Sequence, residues 1–493
     1  MFKTNTLHNK IHHCLYTLFI LFSLTYSLIS HADVEITPDP AASVVEITVH
    51  TRQYDAASPW NTTWKSWIAT GFIVEGNRIL TTAQLVDNAV YISIRPNDST
   101  KTFEAEVDNI SHEVNLALLT LKDETFFDKR APLALGDLPK PEEKVSLYGY
   151  PVGGNKLSIT AGIVSRIEYQ TYAHSGLTFQ AIQVDAAVNS GSLGSPALVD
   201  GKVIGIVSEI TPEIAETPTE NIGYLIPAPR IKQLLDDLRD GTLDGVPELW
   251  VDYQFITNPT HKQYYRLTPD QTGILINQLC ANSDAALLLL PDDVITAIDG
   301  KPITEADFIQ TNGKQYSNFQ HHIDLHQLND IVSLDIIRDG KLVKQNVDLN
   351  KKSLSKNRKE SVPRYFIFGG FVFLASRKLP ECVPATEDET GAPPTEADTV
   401  EIVQVLPSAN NIGFHDVAPM TISTVNSETF SSWTYFQSLV KDGSQKNIVL
   451  ENDTGYQIVI NRQVAEKEHD ALLEKYRIPK TQPDDMAEEE AEP

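Results

Sequence analysis

From Val44 to Ile210 the chain alternates short apolar runs with turn residues. Val44–Val49, Trp67–Val74, Val90–Ile94, Leu116–Leu121, Val145–Tyr150, Ile159–Ile167 and Val203–Val207 are rich in β-branched and aromatic residues, and Gly, Asn, Asp and Pro separate them. No long segment of this region carries a helical period, so the pattern predicts a β-barrel or sandwich. The first clear helical spacing follows Pro227 and Pro229. There Ile231, Leu234, Leu235 and Leu238 share a face, and Gly241 closes the run. That helix marks the end of a first domain over residues 40–245.

A second unit, residues 246–350, contains the strand patterns Gly273–Ile276 and Asp293–Ile303 and ends in a strand pair around Asp339-Gly340. Residues 351–399 read as a linker with a connecting strand: Lys351–Glu360 is polar and basic, and Ala385–Asp398 is rich in Pro, Thr and Glu. Between them Tyr365–Ser376 is apolar but too short to cross a membrane, and it predicts a buried strand. Residues 400–478 form a third unit that ends in a short helix, and 479–493 form an acidic, solvated tail.

Composition narrows the partners. With 66 acidic and 40 basic residues the formal charge is −26 over 493 residues, a surface that repels phosphate backbones and argues against nucleic acid. Lys3 and Lys10 precede an uncharged run from Cys14 to Ser30, and Ser30-His31-Ala32 resembles a cleavage site. Residues 1–32 are therefore expected to be a signal peptide, with the mature chain exported to the periplasm or secreted and lacking an integral membrane segment. An uncleaved anchor helix is the other reading of this run, which is short for a span. Cleavage would remove Cys14 and leave Cys280 and Cys382; free thiols are expected, with a disulfide between them in an oxidising compartment as the alternative, because their proximity cannot be read from sequence.

Three segments carry a resemblance. They are Thr70–Val74 continuing through Leu80-Thr81-Thr82-Ala83-Gln84-Leu85-Val86; Val114-Asn115-Leu116-Ala117-Leu118-Leu119; and Asp185–Pro196, with Asn189-Ser190-Gly191-Ser192-Leu193-Gly194-Ser195-Pro196 at its end. In this order they resemble the HtrA/Deg (Do-type) chymotrypsin-like serine proteases, in the branch with one protease domain and two PDZ-like domains. Leu135-Gly136-Asp137, Gly149–Gly154, Gly162–Ser165 and Asn221–Pro227 fall in the same family order, and the likeness runs over about residues 45–475. The resemblance implies a mainly β fold: a chymotrypsin-like double β-barrel followed by PDZ domain 1 (246–350) and PDZ-like domain 2 (400–478).

At the three positions that match the family's catalytic histidine, aspartate and serine this chain has Gln84, Asn115 and Leu193. Leucine has no lone pair to attack a carbonyl, and an amide is not basic near neutral pH. Gly191, Ser192 and Leu193 keep the loop that would form an oxyanion hole. On this reasoning the chain is expected to be a pseudoprotease, not an enzyme. A triad rebuilt from Ser190, Ser192 or Ser195 with His112 or His174 is the competing idea. His321, His322 and His326 include an i, i+4 pair but read as a polar helix face. No metal and no cofactor are implied.

Binding then carries the expected function. The resemblance places peptide capture on Thr272, Gly273, Ile274, Leu275 and Ile276, as strand addition with the backbone holding a terminal carboxylate. The alternative for these residues is plain core packing. Expected partners are unfolded proteins or peptide C-termini, with a homo-oligomer (trimer or hexamer) as in the family. Two further functions remain open: an active divergent serine-type endopeptidase in envelope protein quality control, and a regulatory subunit of active Deg proteases.

Overall fold

The computed structural model describes residues 39–479, apart from 152–155, 212–221, 281–282, 305–307, 312–313, 318, 351, 354–362 and 379–396. The expected signal peptide, Cys382, most of both linkers and nearly all of the acidic tail lie outside the described residues.

The first barrel is built from β1 (Val44–Tyr54), β2 (Thr62–Val74), β3 (Arg78–Thr81), β4 (Ala89–Pro96), β5 (Phe103–Ser111) and β6 (Leu116–Leu121), with the short helix α1 (Ala83–Val86) after β3. The strands close in the order β1-β2-β3-β6-β5-β4. Alternate residues of β1 supply the core: Val45, Ile47 and Val49 pack with Ile79, Ile94 and Leu119.

The second barrel contains β7 (Lys144–Gly149), β8 (Ser158–Tyr172), β9 (Thr178–Asp185), β10 (Pro196–Val199), β11 (Lys202–Ser208), β12 (Ile210–Thr211) and β13 (Gly223–Pro227). Its sheet runs β12-β8-β7-β10-β11-β13-β9, and an additional β8–β9 pairing closes six of these strands into a ring. A shared cluster joins the barrels, in which Phe72 and Leu118 of the first meet Tyr172, Phe179 and Ile206 of the second. Helix α2 (Ala228–Asp237) adds Ile231 and Leu234 to this seam, the face its spacing predicted.

The second unit has β14 (Val251–Ile256), α3 (Pro259–Tyr264), β15 (Gly273–Leu279), α4 (Asp284–Leu288), β16 (Val294–Ile298), β17 (Lys301–Pro302), the pair β18 (Phe308–Thr311) and β19 (Lys314–Ser317), α5 (Phe319–Asp324), β20 (Ile331–Arg338) and β21 (Lys341–Asp348). Its sheet is ordered β14-β15-β16-β20-β21, which leaves β14 at one edge. Cys280, buried at the end of β15, is disulfide-bonded. That corrects the expected free thiol at this position.

The third unit comprises β22 (Arg364–Phe368), β23 (Phe371–Lys378), β24 (Ala397–Val405), β25 (Met420–Ile422), β26 (Thr424–Val425), β27 (Glu428–Thr429), α6 (Trp433–Lys441), β28 (Asn447–Glu451), β29 (Gln457–Asn461) and α7 (Arg462–Tyr476). The apolar stretch Tyr365–Ser376 is two strands, not one. Gly369 and Gly370 have φ of 61° and 86°, and these left-handed positions turn the chain back on itself. Both strands belong to the third unit's core, where Phe366 and Phe373 pack with Phe436 of α6. Among the described residues no helix is long and apolar enough to cross a membrane.

The first and second units are joined by a buried ion pair. Arg230 of α2 reaches Asp324 at the end of α5, with Nη2 to Oδ1 at 2.9 Å and side-chain exposures of 6% and 0%. Arg230 Nη1 also donates to the Asp324 carbonyl at 2.7 Å, and Gln233 Nε2 donates to the carbonyls of Asp324 (2.6 Å) and His326 (2.7 Å). A charge with no exposure needs its partner. Arg230→Met is expected to cost about 3–5 kcal/mol by leaving Asp324 buried and unpaired, and Arg230→Met with Asp324→Leu to recover most of it. Urea unfolding of the two variants checks this; equal losses in single and double variants would remove the pair from the stability of the junction.

Candidate functional site

The site lies where β3 runs into α1, where the turn between β5 and β6 comes up, and where the loop before β10 crosses from the second barrel. Asn115, on the β5–β6 turn, has φ of 55° and is fully buried. Asparagine is among the residues that tolerate this left-handed backbone. Its Oδ1 accepts from the Gln84 backbone N–H at 2.9 Å, and its Nδ2 donates to Gln84 Oε1 at 2.8 Å and to Ser208 Oγ at 3.0 Å. Gln84 Nε2 in turn donates to Glu209 Oε2 at 3.2 Å. The result is a chain of contacts, Ser208–Asn115–Gln84–Glu209, that spans both barrels.

Leu193 follows the single turn Ser190–Ser192. Its side chain is half-buried and packs against the core clusters of both barrels, so hydrocarbon fills the seam at that point. Thr70 fixes the loop. Its N–H donates to the Leu193 carbonyl at 3.1 Å and its Oγ1 to the Gly191 carbonyl at 3.1 Å, while Oγ1 accepts from the Tyr150 N–H at 2.9 Å. Gly194 has φ of 82°, and a Cβ there would lie 2.0 Å from the Thr70 carbonyl oxygen, which only glycine avoids. Burial pushes the Tyr150 phenol up to about 12, so the ring beside this loop stays neutral.

Two of the neighbouring serines, Ser192 and Ser195, are buried. Ser195 is fully buried, and its Oγ has no hydrogen-bond partner among the described residues. Ser192 Oγ donates to Asn189 Oδ1 at 3.3 Å. His112 and His174 do come together, with Nδ1 and Nε2 2.9 Å apart. His326, two residues past the end of α5, is held by the His322 carbonyl at 2.8 Å and by Asp299 at 3.0 Å; the side chain of His321 lies outside the description.

The strand proposed for peptide capture is interior. β15 pairs with β14 along one edge and with β16 along the other, so Gly273–Ile276 offers no edge to an added strand. Ile274 and Ile276 are fully buried, and Thr272 Oγ1 donates to the Ile256 carbonyl at 2.8 Å. These residues pack the core. β14 and β21 are the outer strands of this sheet among the described residues, and the Tyr253 ring of β14 meets Phe319 of α5 at 5.3 Å between centroids.

Comparison with known proteins fits this architecture. A trypsin-like peptidase domain model matches residues 69–206 and a PDZ domain model matches residues 354–485. Protease Do-like 4, mitochondrial, from Arabidopsis thaliana is 32% identical over 432 residues, covering 84% of this chain and 80% of the relative. Protease Do-like 2, chloroplastic, from the same plant is 28% identical, covering 89% of this chain and 74% of the relative. Among solved structures the HtrA-type protease AlgW with tripeptide matches with a TM-score of 0.50 at 19% identity, covering 62% of this chain and 93% of that one. The chain is thus a double-barrel, PDZ-bearing protein of trypsin-like fold. It belongs to the protease Do-like (HtrA/Deg) family.

These names correct one expectation. The absence of His, Asp and Ser at Gln84, Asn115 and Leu193 led to the reading that the chain is not an enzyme, yet the likeness over most of its length is to proteins named as proteases. The reading equated three missing side chains with a missing activity. It took no account of the groups around them, such as Glu209, which no spacing in the sequence connects with Gln84.

Asn115→Ala tests how far the contacts depend on one amide. It removes three hydrogen bonds at a buried site and puts alanine in a left-handed conformation, and it is expected to cost about 2–4 kcal/mol. Thermal and urea unfolding read the loss; a change below about 0.5 kcal/mol would show that the chain of contacts is held by the flanking backbone instead.

Proposed function

We propose that this chain is a divergent endopeptidase of the HtrA/Deg type that acts on extended or unfolded polypeptide in protein quality control outside the cytoplasm. Family membership over most of the chain supports hydrolysis, and the contact of Glu209 with Gln84 is the observation that gives it a chemical route. Leu193 cannot attack a carbonyl, so the nucleophile is water. The Glu209 carboxylate takes a proton from that water as its oxygen adds to the scissile carbon. The second Nε2–H of Gln84 donates to the oxyanion. Collapse breaks the C–N bond, and the proton on Glu209 passes to the leaving amine. Gln84 is held for this role by Asn115, which fixes both its backbone and its side chain.

Polypeptide is held at the edge of β14, where an extended segment gains backbone hydrogen bonds beside the half-buried Tyr253 ring. Export by the N-terminal segment and assembly into a homo-oligomer complete the proposal. The basic start, uncharged run and small-residue site at 1–32 support export, and the family resemblance supports assembly.

Two measurements bear on this reading. Casein incubated with the purified protein is expected to be cut, with Glu209→Gln lowering the rate by about 100-fold or more while Leu193→Ala and a serine-directed phosphonylating reagent leave it unchanged. Intact casein after many hours, or full activity in Glu209→Gln, would sink the hydrolytic route. Fluorescence anisotropy of a labelled peptide with a free, apolar C-terminus is expected to show about tenfold weaker binding to Tyr253→Ala, or about 1.4 kcal/mol. Unchanged affinity would move capture away from β14.

A further inference from the structure

Three segments distant in sequence meet on the same side of the barrel seam. Asp87 follows the last residue of α1, and its N–H donates to the Ala83 carbonyl at 2.8 Å. His112 lies in the β5–β6 turn, 7% exposed. His174 follows β8 of the second barrel and is half-buried. His112 Nδ1 and His174 Nε2 are 2.9 Å apart, and one ligand atom from each of the three residues lies within 4.8 Å of the other two.

We propose that Asp87, His112 and His174 form a binding site for a divalent transition-metal ion of the zinc type. The donor set is two imidazole nitrogens and one carboxylate, which suits zinc and its neighbours and not calcium or magnesium, both of which favour oxygen. Metal–ligand bonds of about 2.0–2.1 Å place tetrahedral ligand atoms about 3.3 Å apart. The imidazole nitrogens are already slightly closer than that, so a small opening of the pair and an inward swing of the Asp87 carboxylate complete the three ligands. A fourth position is left for water.

The placement gives the ion a role in the fold. Asp87 anchors the end of the helix that carries Gln84, His112 stands on the turn that carries Asn115, and Ala173 beside His174 donates its N–H to the Glu209 carbonyl at 3.3 Å. One ion would therefore clamp the three segments that shape the candidate site, with two ligands from the first barrel and one from the second. The inference stands apart from the hydrolytic reading, because it concerns ion binding and stability whether or not casein is cut.

The test uses the full chain after treatment with a chelator. Zinc is titrated against a chromophoric competitor, cobalt(II) binding is followed by its visible absorption, and thermal unfolding is recorded with and without zinc. The wild-type chain is expected to bind one equivalent more than His174→Gln, to show a cobalt band that this variant lacks, and to melt several degrees higher with zinc. Histidines elsewhere contribute equally to both proteins, so the difference isolates the site. If His174→Gln fails to fold, Asp87→Asn at the half-buried helix end gives the same comparison. Equal stoichiometry together with an equal response of the melting temperature in wild type and variant would overturn the proposal.

Discussion

Thr70 is the residue on which the working half of this molecule turns. It belongs to β2 of the first barrel, yet it grips the Leu193 loop of the second at two points and is itself gripped by the backbone of Tyr150. Thr81 Oγ1 closes the arrangement by donating to the Thr70 carbonyl at 2.9 Å. Thr70 and Thr81 are both fully buried, so each missing bond would leave a polar group without water. The loop is thus part of the barrel contact.

The same reasoning explains how Gln84 and Asn115 sit comfortably in this family fold. Two facing amides complement one another, since each carries both a donor and an acceptor. The pair replaces a charge-stabilised contact with a neutral one and needs no proton to be in the right place. Leu193 then contributes packing where both cores approach. The outer end of the chain of contacts, at Glu209, is exposed.

Much of this was legible from the order of residues. Alternating β-rich runs marked the barrels, the Ile231–Leu238 spacing marked α2, and the ordered motifs marked the family. Other features depend on facts that a linear pattern does not carry. Alternation identifies Gly273–Ile276 as a strand but cannot tell an interior strand from an edge, which is a matter of sheet order. The run Tyr365–Ser376 has one hydropathy signature whether it is a single strand or a hairpin, and the positive φ at its two glycines decided for the hairpin. Glu209, Asp87, His112 and His174 come from separate turns, so only the closed barrels bring them to their partners. Reading activity from three positions failed for the same reason.

Helix α5 joins two features that were described apart. Phe319, at its start, touches Tyr253 on the edge strand, and Asp324, at its end, holds Arg230 of the protease-like domain. Six residues of helix make a rod of about 9 Å, too short to bend and firmly seated at both ends. Phe319 is almost fully buried and Asp324 fully so, which puts the packing of Tyr253 on the edge strand only six residues of pinned helix away from the buried Arg230.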